Sequence, residues 1–368
     1  MGDEGGLVTS GEGSRGFTPR AALAGLRAYD VESAPCALEL ADNTSPFGAP
    51  PAALRAMAAG VGDRLARYPT TYSRELRDAI AAYVGVSGDE VMVGCGSDEL
   101  LGCAFRALGT PGDRVAYMDP TFVMARVFAQ TNSLLPVAVP LTAAHDADAD
   151  ALLAAATLLT YVCTPNNPTG GEIARPTLDR ILAEAPGVVL VDEAYAEFAG
   201  ANHAAAAPAH GRMLAFRTFS KAFGLAGARV GYVVGARALI AELEKVRGPF
   251  TVTALSESAA LAAVTTDLPW VERCVREVRE VRGRFADALR DEGFAPLPSA
   301  ANFVLIPVDD AVAWGAALRA RDIRVRHFES LPGIGDALRI TIGTWDDMQR
   351  VLMAMAATRD ARPAVSHA

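Results

Sequence analysis

Seven short runs of this sequence are apolar at almost every position, and longer segments with helical spacing separate them. The runs are Val91–Gly94, Arg114–Met118, Leu134–Val139, Leu158–Cys163, Val188–Asp192, Leu214–Phe219 and Arg229–Val234. A strand that faces water on one side alternates apolar and polar residues, whereas a strand covered on both faces does not. The pattern therefore predicts an α/β fold whose large domain holds a mostly parallel seven-stranded sheet flanked by helices.

Three further strand-like runs follow a long amphipathic segment near the end of the sequence. The helix is predicted over Trp270–Leu289, and the strands over Asn302–Pro307, Ile323–Phe328 and Leu338–Ile342. This order predicts a second, smaller α+β domain. The predicted divisions are mobile tails over residues 1–16 and 359–368, an N-terminal arm over 17–45 that joins the small domain, a large domain over 46–265 and a small domain over 266–358.

Composition argues against several classes of protein. The net charge of -9 gives no basic surface for nucleic acid or for an acidic membrane. The longest apolar stretch, 151–163, is shorter than the roughly 20 residues that span a bilayer, and residues 1–16 lack the apolar core of a signal peptide. The five cysteines form no CxxC pair, which disfavours a disulfide scaffold or a zinc ribbon. We therefore expect a cytoplasmic protein without a metal, membrane or nucleic-acid partner.

The segment RTFSKAFGLAGARVGY places a lysine directly after a strand-like run. The hydroxyl groups of Thr218 and Ser220, the nearby glycines and the guanidinium of Arg229 are groups that bind phosphate. A Lys221 amine beside such a site and an arginine could have a lowered pKa, which suits Schiff-base formation. A solvent-exposed lysine after an ordinary strand would leave the same pattern, so both interpretations stay open at this point.

Three more segments place polar residues directly after strand-like runs. Asp192 and Tyr195 follow VVLVD, Asn167 lies in the turn TPNNPTG, and Ser97 and Asp98 begin a predicted helix after a glycine-rich turn. Ligands of open α/β sheets bind at the carboxyl ends of strands, and helix N-termini bind anions. These positions could hold a ring-nitrogen cation and an anionic group. Taken singly, each segment is better explained by turn formation or helix capping.

Together and in order, several of these segments resemble one known family. They are GCGSDE, DPTF, TPNNPTG, VDEAY, FSKAFGLAGARVGY and LRITIGT. The set is similar to fold-type I pyridoxal-phosphate aminotransferases, and most of all to the histidinol-phosphate aminotransferase family, from about Phe17 to about Ala356. The resemblance implies the aspartate aminotransferase-like fold and pyridoxal 5'-phosphate as cofactor. It also implies transfer of an amino group from histidinol phosphate or an aromatic amino acid to 2-oxoglutarate.

The resemblance also implies a cofactor role for particular residues. Lys221 matches the lysine that holds the cofactor as an internal aldimine and then moves the proton of the substrate. Asp192 matches the acid that pairs with the pyridine nitrogen, whereas Tyr195 and Asn167 match the residues at the phenolic oxygen. Phe122, in DPTF, matches the aromatic residue that stacks on the ring. The positions that match the phosphate cradle are Ser97, Asp98, Thr218, Ser220 and Arg229.

Substrate binding and assembly follow from the same resemblance. Tyr68 matches a tyrosine that reaches the phosphate in the neighbouring subunit, which implies a homodimer with shared active sites. Arg339 matches the arginine that holds the substrate carboxylate, and Asn43 matches the asparagine of a loop over the substrate. Arg326 matches an arginine implicated in binding the substrate's phosphate. The chain departs from the family at Arg20, where relatives often carry an aromatic residue.

Two other functions are compatible with these residues. A decarboxylase of the same fold, similar to threonine-phosphate decarboxylase, would keep Lys221, Asp192 and Arg229 and would release carbon dioxide. A non-catalytic cofactor-binding or regulatory protein would also keep the cofactor site. The sequence favours an enzyme over the second alternative because the matched lysine is present and no DNA-binding segment is appended.

Overall fold

The computed structural model describes residues 18–26, 28, 34–62, 64–200 and 202–361. The strands are β1 (Leu38–Leu40), β2 (Val91–Gly94), β3 (Arg114–Asp119), β4 (Leu135–Pro140), β5 (Leu159–Cys163), β6 (Val188–Asp192), β7 (Met213–Thr218), β8 (Gly231–Gly235), β9 (Phe303–Pro307), β10 (Ile323–Leu331) and β11 (Gly335–Thr341). The α-helices are α1 (Pro51–Gly60), α2 (Arg74–Val84), α3 (Gly96–Leu108), α4 (Met124–Thr131), α5 (Ala149–Ala154), α6 (Arg175–Glu184), α7 (Ala196–Ala199), α8 (Ala207–His210), α9 (Arg237–Val246), α10 (Ala254–Thr265), α11 (Leu268–Asp291), α12 (Ala311–Arg319) and α13 (Trp345–Ala361).

The larger sheet contains seven strands of the described chain, in the order β2-β8-β7-β6-β5-β3-β4. Its neighbouring strands are parallel except where β8 pairs antiparallel with β2 and β7. Strands β2, β5, β7 and β8 are buried at every position. Only β4, at the edge, is largely exposed, and its two prolines suit an edge strand because they cannot donate to a neighbour. The predicted α/β class with a mostly parallel seven-stranded sheet is confirmed.

Two apolar layers cover this sheet because successive side chains of each strand point to opposite faces. In β5, Leu159 and Tyr161 belong to the layer that contains residues of α3, α4 and α9. Val162, between Tyr161 and Cys163, belongs to the layer on the other face, which contains residues of α2, α6 and α10 and continues into the second sheet. Helices on both faces explain why these strands carry almost no polar residues.

The second sheet has the order β1-β10-β11-β9. Strand β1, which the sequence pattern did not predict, pairs parallel with β10 and so attaches the N-terminal segment to this sheet. Its three residues are too few to show a period. Strands β10 and β11 are antiparallel, and Arg326 lies opposite Arg339. Directly opposite residues of two paired strands share one face of the sheet, so the two arginines are neighbours.

The structure changes one predicted boundary of the C-terminal tail, whereas the predicted domain boundaries stay predictions. Helix α13 continues to Ala361, so residues 359–361 are helical instead of forming the start of a C-terminal tail. The predicted tails over residues 1–16 and 362–368 lie outside the described residues. The domain limits at residues 45 and 265 stay predictions. Among the helices that the structure describes, none combines the length and the apolar character needed to cross a membrane.

A buried ion pair lies beneath the large sheet's carboxyl edge. The Arg217 Nε donates to Glu193 Oε2 at 3.1 Å, and the two side chains are 4% and 0% exposed. Glu193 also accepts hydrogen bonds from the backbone N–H groups of His203 and Ala204. The glutamate that follows Asp192 in the sequence therefore anchors the chain after β6 instead of facing a ligand.

Removing the Glu193 carboxylate should destabilise the protein, because the buried Arg217 would keep Glu197, 3.6 Å away, as its carboxylate partner but would lose its closer one, and the backbone N–H groups of His203 and Ala204 would lose their acceptor. We expect Glu193→Ala to lower the free energy of unfolding by about 3–5 kcal/mol, measured by urea denaturation. The matched control is Asp179→Ala, which removes the exposed pair between Asp179 Oδ1 and Arg175 Nε at 2.7 Å and should cost less than about 1 kcal/mol. Equal losses in the two variants would contradict this assignment.

Candidate active site

Several strands of the large sheet present their ends at one edge, and a cavity of about 580 Å³ opens there. Parallel strands β5, β6 and β7 end at Cys163, Asp192 and Thr218. Because β8 is antiparallel, it begins at this same edge, and the preceding Arg229 joins the group. Side chains far apart in the sequence therefore meet around one space.

Nearly all of the predicted site residues line this cavity. They are Asn43, Ser97, Asp98, Phe122, Asn167, Asp192, Tyr195, Thr218, Ser220, Lys221, Arg229, Arg326 and Arg339. Tyr68 is the exception: its side chain is 83% exposed outside the cavity and stacks on Phe250 with ring centroids 4.7 Å apart. The structure thus gathers thirteen of the fourteen predicted residues within one chain.

One corner of the cavity is built to receive an anion. The Arg229 guanidinium donates to Ser220 Oγ at 3.4 Å and to Asp98 Oδ2 at 3.3 Å. The Thr218 hydroxyl accepts from the Ser220 backbone N–H at 3.0 Å. Ser97 lies in the first turn of α3, where backbone N–H groups have no acceptor within the helix. Hydroxyls, a guanidinium and a helix N-terminus together form a phosphate-binding donor set.

Two glycines make this corner possible. Gly96 has a φ of +77°, and a Cβ there would lie 2.6 Å from Arg229 Nη2. A Cβ at Gly231 would lie 2.4 Å from the Ser97 backbone nitrogen. A side chain at Gly231 would force the start of β8 away from the backbone at the start of α3, and one at Gly96 would displace the Arg229 guanidinium. Glycine therefore allows the helix N-terminus and the arginine to approach each other.

A buried carboxylate forms a second corner. Asp192 is 3% exposed. Its Oδ2 accepts from the Tyr161 hydroxyl at 2.8 Å, and its Oδ1 accepts from the Ala194 backbone N–H at 3.1 Å. Burial raises the pKa of Asp192 to about 6, while these two hydrogen bonds oppose the rise. A carboxylate that is poorly solvated, yet still ionised near neutral pH, is suited to pair with a buried cation.

The lysine amine lies between these corners. Lys221 Nζ donates to the Asp42 backbone carbonyl at 2.9 Å and lies 5.9 Å from the ring centroid of Tyr195. Poor solvation, followed by the positive charge of Arg339, lowers the pKa of Lys221 to about 8. A substantial fraction of the amine is therefore neutral at slightly alkaline pH, which is the form that attacks a carbonyl carbon.

The second sheet and the N-terminal segment close the remaining side. Arg339 Nη1 donates to Asn167 Oδ1 at 2.6 Å, and its Nη2 donates to the Ala41 carbonyl. Asn43 Nδ2 donates to the Tyr195 hydroxyl at 3.0 Å, and Asn43 Oδ1 accepts from the Thr341 hydroxyl at 3.1 Å. These contacts join both sheets around the cavity.

The sequence reasoning missed other parts of the site. Asp42, Thr121 and Cys163 also line the cavity, and Tyr161 supports Asp192 from within the sheet. A signal was available for Tyr161, because its hydroxyl is a polar group in an otherwise apolar buried strand and needs a partner. Thr121, two residues beyond the end of β3, could have been found by the strand-end rule that located Asn167.

Comparison with known proteins agrees with this geometry. Residues 37–355 match the family described as aminotransferase class I and II. The histidinol-phosphate aminotransferase of Erythrobacter litoralis is 40% identical over 341 residues, which cover 88% of this chain and 91% of that protein. Histidinol-phosphate aminotransferase 1 of Bordetella parapertussis is 40% identical over 318 residues, which cover 84% and 89%.

Solved structures show the same relationship. The histidinol-phosphate aminotransferase of Sinorhizobium meliloti, crystallised in complex with pyridoxal-5'-phosphate, superposes with a TM-score of 0.85 at 25% identity and covers 96% of this chain and 100% of that one. The aspartate aminotransferase of Thermus thermophilus with maleate, at 22% identity and a TM-score of 0.73, shares the fold. The resemblance found in the sequence is thus confirmed, and the chain belongs to the aminotransferase class I and II family, among the relatives of the histidinol-phosphate aminotransferases.

Proposed function

We propose that this aminotransferase uses pyridoxal 5'-phosphate to move an amino group from histidinol phosphate or an aromatic amino acid to 2-oxoglutarate. The observation that carries the proposal is the meeting of three groups in one cavity. They are the Lys221 amine, the buried Asp192 carboxylate and the anion-binding corner around Arg229. An aldehyde, a pyridine nitrogen and a phosphate on one small molecule would need these three partners. Two relatives at 40% identity that act on histidinol phosphate by name support the same donor.

The residues present fit the cofactor. Its phosphate would be held by the Arg229 corner. There the start of α3 and Arg229 lie so close together that neither Gly96 nor Gly231 could carry a side chain. Its ring nitrogen would pair with Asp192, and its phenolic oxygen would be held by Tyr195 and Asn167. The aromatic ring that lines the cavity and can stack on the cofactor is Phe122. The chain thus offers a partner for each polar group of the cofactor.

When bound, the cofactor supplies a ring that accepts electrons from the substrate's Cα. The chain's own residues do the rest. Asp192, ionised near neutral pH, holds a proton at the ring nitrogen. The Lys221 amine, with its pKa near 8, would take the proton from the substrate's Cα as general base and deliver it as general acid to the former aldehyde carbon of the cofactor, on the other side of the substrate nitrogen. With an aromatic amino acid as donor, the Arg339 guanidinium would bind the carboxylate and so fix the Cα bond that is broken. Histidinol phosphate has no carboxylate, and its phosphate would take over that orienting role.

Arg326 on β10 and Arg339 on β11 lie opposite each other, and we propose that they bind different groups of the substrates. Arg339 is buried and joined to Asn167, so its orientation is set before the substrate binds. Arg326 lies beside it and lines the same cavity. We assign the donor's phosphate to Arg326. This arrangement supports a substrate with an anionic group at some distance from its reacting carbon.

The amino donor can be identified from the absorbance of the bound cofactor. We expect histidinol phosphate, or an aromatic amino acid, to convert the bound aldehyde form of the cofactor to its amine form, and 2-oxoglutarate to restore it. Phenylalanine, tyrosine, glutamate and threonine phosphate complete the panel. Carbon dioxide release without formation of the amine form would instead establish the decarboxylase alternative.

Lys221→Ala is the matched control for this measurement. Without the amine, no lysine adduct should be trapped by borohydride reduction, as read by intact-protein mass, and turnover should fall by about 100-fold to 10,000-fold. The fall reflects loss of the group that moves the proton. A borohydride-stable adduct that persists in this variant would remove the basis of the assignment.

The lowered pKa of Lys221 predicts a pH dependence of cofactor attachment. Only the neutral amine attacks the aldehyde, so the attachment rate of the cofactor-free protein should rise with pH and level off above about pH 8. Arg339→Leu removes a positive charge that disfavours the ammonium form, so the midpoint should move to higher pH. Stopped-flow absorbance measures both. Arg290→Leu, an exposed arginine on α11, should leave the midpoint unchanged. A wild-type rate that still rises steeply above pH 9 would contradict the prediction.

We also propose that the chain forms a homodimer. The stacked pair Tyr68 and Phe250 is exposed, which is unusual for adjoining aromatic rings in contact with water. We infer that a second copy covers the pair and that Tyr68 then reaches the partner's anion-binding corner, as the resemblance to the aminotransferases implies. A cytoplasmic location is proposed from the free state of all five cysteines, because reducing compartments keep thiols unpaired.

The dimer proposal predicts the effect of a charge placed in the aromatic pair. Phe250→Asp would bury a carboxylate in the proposed interface, so the protein should sediment as a monomer at micromolar concentration and bind the cofactor more weakly. Met353→Asp changes an apolar residue on α13 that is more exposed than Phe250, and it should leave the mass unchanged. A dimer of undiminished stability in the Phe250 variant would exclude this surface as the interface.

A further inference from the structure

Tyr161 is a fully buried tyrosine whose hydroxyl contacts the carboxylate of the site. It lies on β5 and is 0% exposed. In the register of β5 and β6, Tyr161 lies beside Leu190, and Cys163 lies beside Asp192. Tyr161 is therefore the diagonal neighbour of Asp192 on the same face of the sheet, and the length of its side chain brings its hydroxyl to 2.8 Å from Asp192 Oδ2.

The direction of this hydrogen bond is settled by the two protonation states. Burial, together with the negative charge of Asp192, raises the pKa of the Tyr161 phenol well above its usual value. Tyr161 is therefore a neutral phenol that keeps its proton and donates a hydrogen bond to the carboxylate. Hydrogen bonds from a neutral donor to an ionised acceptor favour the ionised form, so this contact stabilises Asp192 as a carboxylate.

That stabilisation counters several unfavourable influences on the carboxylate. Burial alone disfavours the ionised form of Asp192, and the negative charges of Asp98 and Glu193 add to the effect. Against them the described residues provide the Ala194 backbone N–H on one oxygen and the Tyr161 hydroxyl on the other. Tyr161 is thus the side-chain donor that holds Asp192, and it does so from outside the cavity, since it is not among the residues that line it.

We propose that Tyr161 is a positioning residue for the transamination reaction: its hydroxyl holds Asp192 ionised and in place to pair with the ring nitrogen of the cofactor. The inference rests on the proposed function. Tyr161 touches neither substrate nor cofactor and acts through Asp192. Groups that orient metal ligands in this way typically change affinity or activity by about 10-fold to 100-fold when they are removed, and reacting residues need such support in general.

The test compares two cofactors that differ at one atom. Pyridoxal 5'-phosphate carries the ring nitrogen, whereas its 1-deaza analogue has carbon in its place and gives Asp192 no cation to pair with. Dissociation constants are measured for both with the cofactor-free protein. We expect Tyr161→Phe to weaken binding of pyridoxal 5'-phosphate by about tenfold and binding of the analogue by less than about twofold. The kcat with the natural cofactor should also fall while the KM for the amino donor stays unchanged.

Tyr232→Phe is the matched control. Tyr232 is equally buried, lies on β8 of the same sheet and does not line the cavity. Its variant also loses one phenol oxygen, and any effect on binding should be the same for the two cofactors. If Tyr161→Phe likewise weakens both cofactors equally, the hydroxyl supports the sheet alone and the proposal is overturned.

A double variant keeps the proposal testable if Tyr161→Phe alone does not fold. In an Asp192→Asn background no buried carboxylate needs the donor, so adding Tyr161→Phe should change neither folding nor the ratio of the two dissociation constants. Unfolding of the double variant would show that the hydroxyl acts independently of Asp192 and would overturn the proposal. The proposed function is judged separately: it fails if the wild-type protein forms no Lys221 adduct with pyridoxal 5'-phosphate.

Discussion

Water is excluded from both faces of the seven-stranded sheet, and this constraint decides where polar groups of the site can lie. Side chains within β5, β6 and β7 pack into apolar layers, so an unpaired charge in mid-strand would be costly. Chemistry is confined to the strand ends, where Asp192 and Lys221 lie. The same exclusion raises the pKa of the acid and lowers that of the amine. By keeping water away, the fold thus moves the pKa values of both groups towards neutral pH.

One reversed strand and one additional sheet complete the site. Because β8 runs against its neighbours, its start lies at the carboxyl edge and places Arg229 against the N-terminus of α3. The second sheet brings Arg339 and Arg326 to the opposite side. In addition to poor solvation, the positive charges of Arg339 and Arg229 disfavour a protonated Lys221, whereas the negative charges of Asp42 and Asp98 act in the opposite direction. Anion binding and a reactive amine are therefore consequences of one charge arrangement.

Local patterns predicted the elements that carry long apolar runs, and they failed for short ones. All seven strands of the large sheet were predicted within one or two residues. Burial on both faces leaves a continuous apolar signature in the inner strands, and the largely exposed edge strand β4 is apolar in sequence as well. Strand β1 was missed since three residues show no period. The hydrogen bond from Asn43 to Tyr195 joins residues 152 positions apart, and no local pattern contains such information. Tyr68 was predicted to reach the phosphate in a neighbouring subunit, and with one chain alone this stays a prediction.

The sequence by itself determined the fold class, the family and the kinds of residue available to a cofactor, because periodicity and short motifs are local properties of the chain. Only the tertiary structure decided which of these residues meet. It placed Arg339 against Asn167 and the Tyr161 hydroxyl on Asp192, through strand register that depends on the whole sheet. It also revealed that Glu193, next to Asp192 in the sequence, is committed to Arg217. Burial and charge act through space, and distances in space follow from how the strands pair.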